Sequence, residues 1–123
     1  MFFSIKLKET REVYHCHYTN WPDFGEPSDK SFLNFLEFCE NLDLFNTSQH
    51  QQTNASSSKV KITGPPVIHC SAGVGRSGTL VLIDSVLSLF KLFGDDIPMQ
   101  IIDILSELRR GRMGLVQTHQ QLK

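Results

Sequence analysis

The chain has 123 residues, 40% apolar side chains and a net charge of −1. That is enough for one small domain with a core, and the charge balance points to neither nucleic acid nor a membrane surface. Its three cysteines, Cys16, Cys39 and Cys70, are odd in number and irregularly spaced, with no Cys-x-x-Cys. This excludes a disulfide framework and a zinc ribbon, and it fits a reducing compartment.

Taken in order, Met1 to Lys8 is broken too early by lysine to be a signal peptide, and Ser4 to Leu7 alternates apolar and polar residues. Glu9 to Thr19 predicts a strand, with Val13, His15 and His17 on one face and Tyr14, Cys16 and Tyr18 on the other. Trp21-Pro22-Asp23-Phe24-Gly25-Glu26-Pro27 ends it. Pro22 disfavours helix at Trp21 and Gly25 permits a sharp reversal, so this is an ordered loop able to swing as a flap. Ser28 or Asp29 caps a helix with Phe32, Leu33, Phe35, Leu36, Cys39 and Leu42 at helical spacing, running to about Leu42.

Asn46 to Ser58 is polar and low in complexity, which predicts a flexible surface insert over about 46–63. Gly64-Pro65-Pro66 closes it, and Val67 to Cys70 reads as a buried strand. The next helix starts near Arg76 and ends near Phe93, with Gly94 as the stop. Asp84 and Lys91 within its apolar run exclude a membrane span. Asp95 or Asp96 caps another helix, about Met99 to Arg110, with Ile101, Ile102, Ile104, Leu105 and Leu108 as its apolar positions. Arg109-Arg110-Gly111-Arg112 reads as cations complementing that helix's C-terminal dipole. After Gly114, Leu115 to Leu122 predicts a loop turning into one more helix, still unfinished at the last residues. There is no internal repeat and no second domain.

The chemistry concentrates in His69-Cys70-Ser71-Ala72-Gly73-Val74-Gly75-Arg76-Ser77-Gly78-Thr79. Gly73-x4-Gly78 has the glycine spacing of a nucleotide-binding loop, but Thr79 stands where that motif needs Lys, so the nucleotide reading fails. What remains is a loop from strand to helix whose amides converge on an anion, with a thiol at its mouth. Arg76 can present its planar fork to two phosphate oxygens. Loop amides, the helix N-terminus and Arg76 all favour a Cys70 thiolate, and His69 can add a supporting network. A metal role for His69 and Cys70 is weak, because adjacent strand residues point to opposite faces. Phosphoryl transfer to Cys70 further needs a general acid, for which Asp23 on its flap is the candidate. It also needs a group to orient water, for which Gln117 and Gln121 are candidates. Ser77 is placed to stabilise the departing thiolate. Singly, Asp23 reads as a turn-former, Gln117 as a surface amide and Ser77 as a helix cap; their co-occurrence with Cys-x5-Arg is what raises them.

Three of these stretches resemble the protein tyrosine phosphatases of the tyrosine-specific class: Trp21-Pro22-Asp23-Phe24-Gly25, the Cys70–Arg76 loop with its flanks, and Gln117-Thr118-x-x-Gln121, in that family's order. Ser31 to Leu36, Arg112-Met113-Gly114-Leu115 and Gly94-Asp95-Asp96-Ile97 lean toward its non-receptor type 1 and type 2 (T-cell) subgroup. The resemblance implies an α/β fold, the cysteine-based phosphatase fold with a central mixed sheet flanked by helices. This chain, 1–123, is expected to be a C-terminal, partial catalytic domain. It implies Cys70 as nucleophile, Arg76 as phosphate clamp, Asp23 as general acid and later base, Gln117 as water-orienting residue and Gln121 as its support. The amides of Ser71, Ala72, Gly73, Val74, Gly75 and Arg76 cradle the phosphoryl group. Phe24, Ala72 and Val74 flank the phosphotyrosine ring, and Trp21 hinges the acid loop. It implies no metal and no other cofactor, phosphotyrosine-containing proteins as partners, a monomer and a cytoplasmic setting. The family's phosphotyrosine-recognition loop has no counterpart here, which leaves a non-catalytic phosphotyrosine-binding or regulatory fragment as the alternative. Asp23 and Cys70 are 47 residues apart, more than the family shows, through the 46–63 insert, and Glu26 replaces a usually apolar residue.

Overall fold

The structure, a computed structural model, describes residues 2–4, 9–11, 13, 15–27, 30–41 and 65–123. The predicted 46–63 insert and the Ser28 or Asp29 cap lie outside these. Two strands, β1 (Phe2–Ser4) and β2 (Glu9–Arg11), pair antiparallel with Phe3 opposite Thr10. Four helices follow: α1 (Lys30–Asn41), α2 (Arg76–Phe93), α3 (Ile101–Gly111) and α4 (His119–Leu122).

α2 has the predicted bounds. It begins at Arg76 and stops where Gly94 takes a positive φ of 61° and donates its N–H to Phe90 O at 2.8 Å. α3 begins two residues later than expected and is not capped by Asp95 or Asp96. Pro98 keeps its predecessor out of helical backbone, and the cap passes to Gln100, whose N–H donates to Asp103 Oδ2 at 3.3 Å.

The main core lies where α2 and α3 meet the 115–116 turn. Leu82, Ile104, Leu105, Leu115 and Val116 are buried there, with Val86, Leu89, Leu108 and Leu122 around them. Ile101 and Ile102, predicted on the same apolar face of α3, are about half exposed. A second, smaller cluster forms on α1. Phe32 and Cys39 are buried, and Phe32 meets Trp21 edge-on with ring centroids 4.9 Å apart. Leu33, also expected on that face, is exposed instead.

Two strand expectations are corrected. Among the described residues the predicted Glu9–Thr19 strand is a strand at Glu9–Arg11 alone, and Val67 to Cys70 is neither paired nor buried, with Val67 87% exposed. A strand exists only as one side of a ladder, and among the described residues neither 15–19 nor Val67 to Cys70 has a neighbour to supply one. The expected central mixed sheet is represented among the described residues by the β1–β2 pair alone. No helix among them is long and apolar enough to cross a membrane.

Candidate active site

The turn from Cys70 into α2 brings the loop amides onto one point. Gly73 N–H donates to Cys70 Sγ at 3.2 Å, and Ser77 Oγ, buried in the first turn of α2, lies 3.3 Å from the same sulfur. Burial pushes the Cys70 thiol up. The Ser77 hydroxyl and the amides of Ser77, Gly73 and Val74 outweigh it and bring the thiol down to about 6. Cys70 is therefore mostly thiolate at neutral pH. The lowering comes from these hydrogen bonds. Arg76, expected to contribute to it, has its guanidinium engaged elsewhere.

Arg76 Nη1 donates to Trp21 O at 3.0 Å. Its Nη2 donates to Ser71 Oγ at 2.7 Å and pairs with Asp23 Oδ1 at 2.6 Å. A residue 55 positions upstream thus docks on the phosphate loop through this one side chain. The acid loop is built around Trp21, whose Nε1–H donates to Gly25 O at 2.9 Å while its ring is buried on Phe32. The turn places Phe24 at a positive φ of 61°, unfavourable for a bulky side chain, and leaves Phe24 62% exposed at the rim of the cleft.

The glutamine loop docks by backbone. Val116 N–H donates to Val74 O at 2.9 Å. A Cβ on Gly78 would meet Val116 N at 2.8 Å and Leu115 Cα at 3.1 Å, and one on Gly75 would meet Gln117 Oε1 at 2.5 Å. Only hydrogen fits at Gly78, whose neighbours are backbone, whereas at Gly75 they are the movable ends of side chains, so Gly78 sets how closely the loops approach. Val116 holds a φ of 60°, strained for a β-branched residue. Gln121 Oε1 accepts from the N–H groups of Gln117 at 2.9 Å and Thr118 at 3.4 Å. Its Nε2 is buried without a hydrogen-bond partner, a donor left for something in the cleft.

One cleft of about 150 Å³ is lined by Asp23, Phe24, Cys70, Ser71, Ala72, Arg76, Gln117 and Gln121. All eight were candidates on sequence grounds. Gly73, Val74, Gly75 and Ser77, also expected at the site, are not among its lining residues. His69 is not among the lining residues. It is exposed and stacks on His15 at 6.0 Å, which in turn stacks on His17 at 5.4 Å. Among the described residues no group of three or more His, Cys, Asp or Glu side chains is arranged to hold a metal ion.

Two residues were missed. Arg109, read as a dipole-complementing cation, instead donates Nε–H to Leu115 O at 2.8 Å and Nη2–H to Val116 O at 2.9 Å, holding the strained turn before Gln117. Thr118 Oγ1 donates to Phe24 O at 2.9 Å, tying glutamine loop to acid loop across 94 positions of sequence. Neither contact has a local signal, because each partner is a backbone carbonyl placed by the fold.

A family profile described as protein-tyrosine phosphatase matches residues 3–123. The chain is 46% identical over 121 residues to human tyrosine-protein phosphatase non-receptor type 2, which covers 98% of this chain and 25% of that protein. It is 42% identical over 120 residues to tyrosine-protein phosphatase non-receptor type 61F of Drosophila melanogaster, covering 97% and 19%. With tyrosine-protein phosphatase 2 of Dictyostelium discoideum it shares 36% over 125 residues, covering 98% and 28%. The chain spans about a quarter of the length of these curated relatives.

Proposed function

This chain belongs to the protein-tyrosine phosphatase family, and on that premise we propose that it carries the chemical part of an enzyme hydrolysing phosphotyrosine in proteins through a phosphocysteine intermediate. The observation that carries the reading is a thiol brought down to about 6 in a cleft shared with Arg76 and Asp23. A thiolate is nucleophilic toward phosphorus, and the same amides that hold its charge are arranged for the equatorial oxygens of the transferring group.

The Arg76 fork is taken by Trp21 O on one arm and by Ser71 and Asp23 on the other. A dianionic phosphoryl group competes for that fork with two oxygens, bidentate, and displaces the single Asp23 oxygen. The displaced carboxyl is then free to take up a proton and give it to the leaving phenolate oxygen as Cys70 Sγ bonds to phosphorus. In the second step Gln117 orients a water, Asp23 accepts its proton, and the Ser77 hydroxyl donates to the thiolate as the S–P bond breaks. Gln121 supports the water site through its unpartnered Nε2. Phe24 and Ala72, on the cleft wall, flank the aromatic ring.

The remaining features of the reading follow from the family. Residues 1–123 form a partial catalytic domain of the cysteine-phosphatase fold, with an insert at about 46–63, needing no metal or other cofactor. Its partners are phosphotyrosine-containing proteins, not nucleic acid, and it works as a monomer in the cytoplasm. The test is turnover of a phosphotyrosine peptide by the chain and by Cys70→Ser. Turnover by the chain alone is expected to be slow, and Cys70→Ser abolishes it while leaving phosphopeptide binding intact. An unchanged rate in Cys70→Ser overturns the mechanism. Binding without any turnover by the unsubstituted chain identifies a phosphotyrosine-binding fragment instead.

A further inference from the structure

Cys16 and Cys39 take no part in the chemistry above, and a run of aromatic contacts fixes where they lie. The His15 and His17 rings stack 5.4 Å apart, the i, i+2 relation of an extended chain, so Cys16 and Tyr18 share the opposite face. This segment runs along α1 in the reverse direction. Trp21 packs on Phe32 at 4.9 Å, and Tyr18 lies 5.6 Å from Phe32 and 5.3 Å from Phe35. Two residues back from Tyr18 is a step of about 6.6 Å along an extended chain. One turn on from Phe35, a step of about 6 Å on the same helical stripe, is Cys39. The two steps match and bring Cys16 over Cys39. Both thiols are free; Cys39 is 2% exposed and Cys16 half-buried. Burial, and then the charge of Cys16, push the Cys39 thiol up to about 11, in keeping with two side chains on facing surfaces.

We propose that Cys16 and Cys39 are a redox-sensitive pair that hydrogen peroxide closes to a disulfide, clamping the stem of the acid loop onto α1. Cys16 is the thiol that solvent reaches. Its thiolate attacks one peroxide oxygen and the O–O bond breaks, leaving a sulfenic acid on Cys16 and a hydroxide. The Cys39 thiolate then attacks the Cys16 sulfur; the S–S bond forms, the S–O bond breaks and a second hydroxide leaves. The two thiol protons neutralise the two hydroxides. Two thiols and one peroxide become one disulfide and two waters, with sulfur oxidised and peroxide oxygen reduced. The bond needs Cα atoms about 4.4–6.8 Å apart, and residues 15–20 sit in no ladder, among the described residues, that would resist the closure. The ring so formed encloses Trp21 and Asp23. The pair acts on the loop's stem whichever reaction the cleft performs.

The three cysteines fall on separate tryptic peptides, 12–30, 31–59 and 62–76, so the linkage can be mapped directly. The full chain carrying Cys70→Ser, which removes the most ionised thiol, is treated with hydrogen peroxide, quenched with iodoacetamide in denaturant and digested. The expected product is peptide 12–30 joined to 31–59 within one chain, two hydrogens lighter than their sum. It is reversed by dithiothreitol and lost in Cys16→Ser and in Cys39→Ser. It forms faster as pH rises above neutral, because Cys39 must ionise to close the bond. Recovery of both cysteines alkylated, or of Cys16 over-oxidised with Cys39 alkylated, overturns the proposal. So does a link that forms as fast in urea, which would owe nothing to the fold. Should Cys70→Ser not fold, the same map on the unsubstituted chain decides: a link from Cys70 to either cysteine, in place of Cys16–Cys39, refutes the pair.

Discussion

The two walls of the cleft are built by opposite means. The wall carrying Cys70 and Gln117 is fastened by backbone. Val116 donates to Val74 O, Gly78 presses on Leu115 and Val116, and Arg109 grips two carbonyls, all over the Leu82–Leu105 core. The wall carrying Asp23 is fastened by side chains. Its anchor is Trp21 on Phe32, and it meets the opposite wall through Arg76 and Thr118. On the proposed mechanism, the difference follows from what each must do. Dipoles that stabilise a developing charge have to be fixed before the reaction starts. An acid that serves two successive steps has to leave one partner and find another, so its contacts must be few and separately breakable.

Asp23→Ala is the largest test of that contrast. Loss of a general acid lowers turnover of a phosphotyrosine peptide by about 10²–10⁴-fold. Asp23 is 66% exposed, with one ion pair, so thermal unfolding should not move. A melting temperature that fell together with the rate would mean the acid loop is part of the fixed wall after all. Gly78→Ala should behave in the opposite way. Its Cβ meets backbone atoms that cannot give, at 2.8 Å and 3.1 Å, and forcing it in costs about 1–3 kcal/mol. Calorimetry should show a lower melting temperature, and the rate should fall with it because Gln117 is carried on the displaced turn. Unchanged melting would show that the two loops are not pressed together as described.

Within the fixed wall, Ser77→Ala separates hydroxyl from amides. Thiolate is the reactive form, so the acidic limb of kcat/KM rises with pH up to the thiol's value of about 6, and the need for a protonated general acid turns the profile down again on its alkaline side. The Ser77 hydroxyl is the first of the groups that lower it. Without that bond the thiol binds its proton more tightly, and the acidic limb moves to higher pH. Each unit of displacement costs about tenfold in rate on the acidic limb. A limb that stayed in place would assign the lowering to the amides alone.

What could be read in advance divides along the same lines. Cys70-x5-Arg76, the Asp23 turn and Gln117-x3-Gln121 were legible because each is a local arrangement, and the fold's part was only to bring them together. α2 was legible to the residue because Gly94 supplies its own stop. Val67–Cys70 misled, since its apolar run gives a strand's chemistry without the neighbour that makes one. Arg109 misled for the converse reason: its position at a helix end suits a dipole, while its actual partners are carbonyls past the next turn. Ile101 and Ile102 share helical spacing with Ile104 and Leu105, yet spacing says which residues lie near one face and not which part of that face is covered.

Thr118→Val carries the smallest expected effect and probes the join between the walls. Its Oγ1 donates to Phe24 O and also accepts from Gln121 N–H at 3.2 Å, capping α4. Valine keeps the shape and loses both bonds, at about 1 kcal/mol each. Thr118→Ser keeps both. If the tether to Phe24 matters for catalysis, Thr118→Val should lower kcat by several-fold while Thr118→Ser stays near the unsubstituted rate. If only the α4 cap matters, Thr118→Val should lower the melting temperature and leave kcat, read well below that temperature, near the unsubstituted rate. A kcat loss in Thr118→Val that persists well below its melting temperature belongs to the Phe24 contact. It would show that the wall carrying Asp23 is coupled to the fixed one through a single hydroxyl that also caps α4.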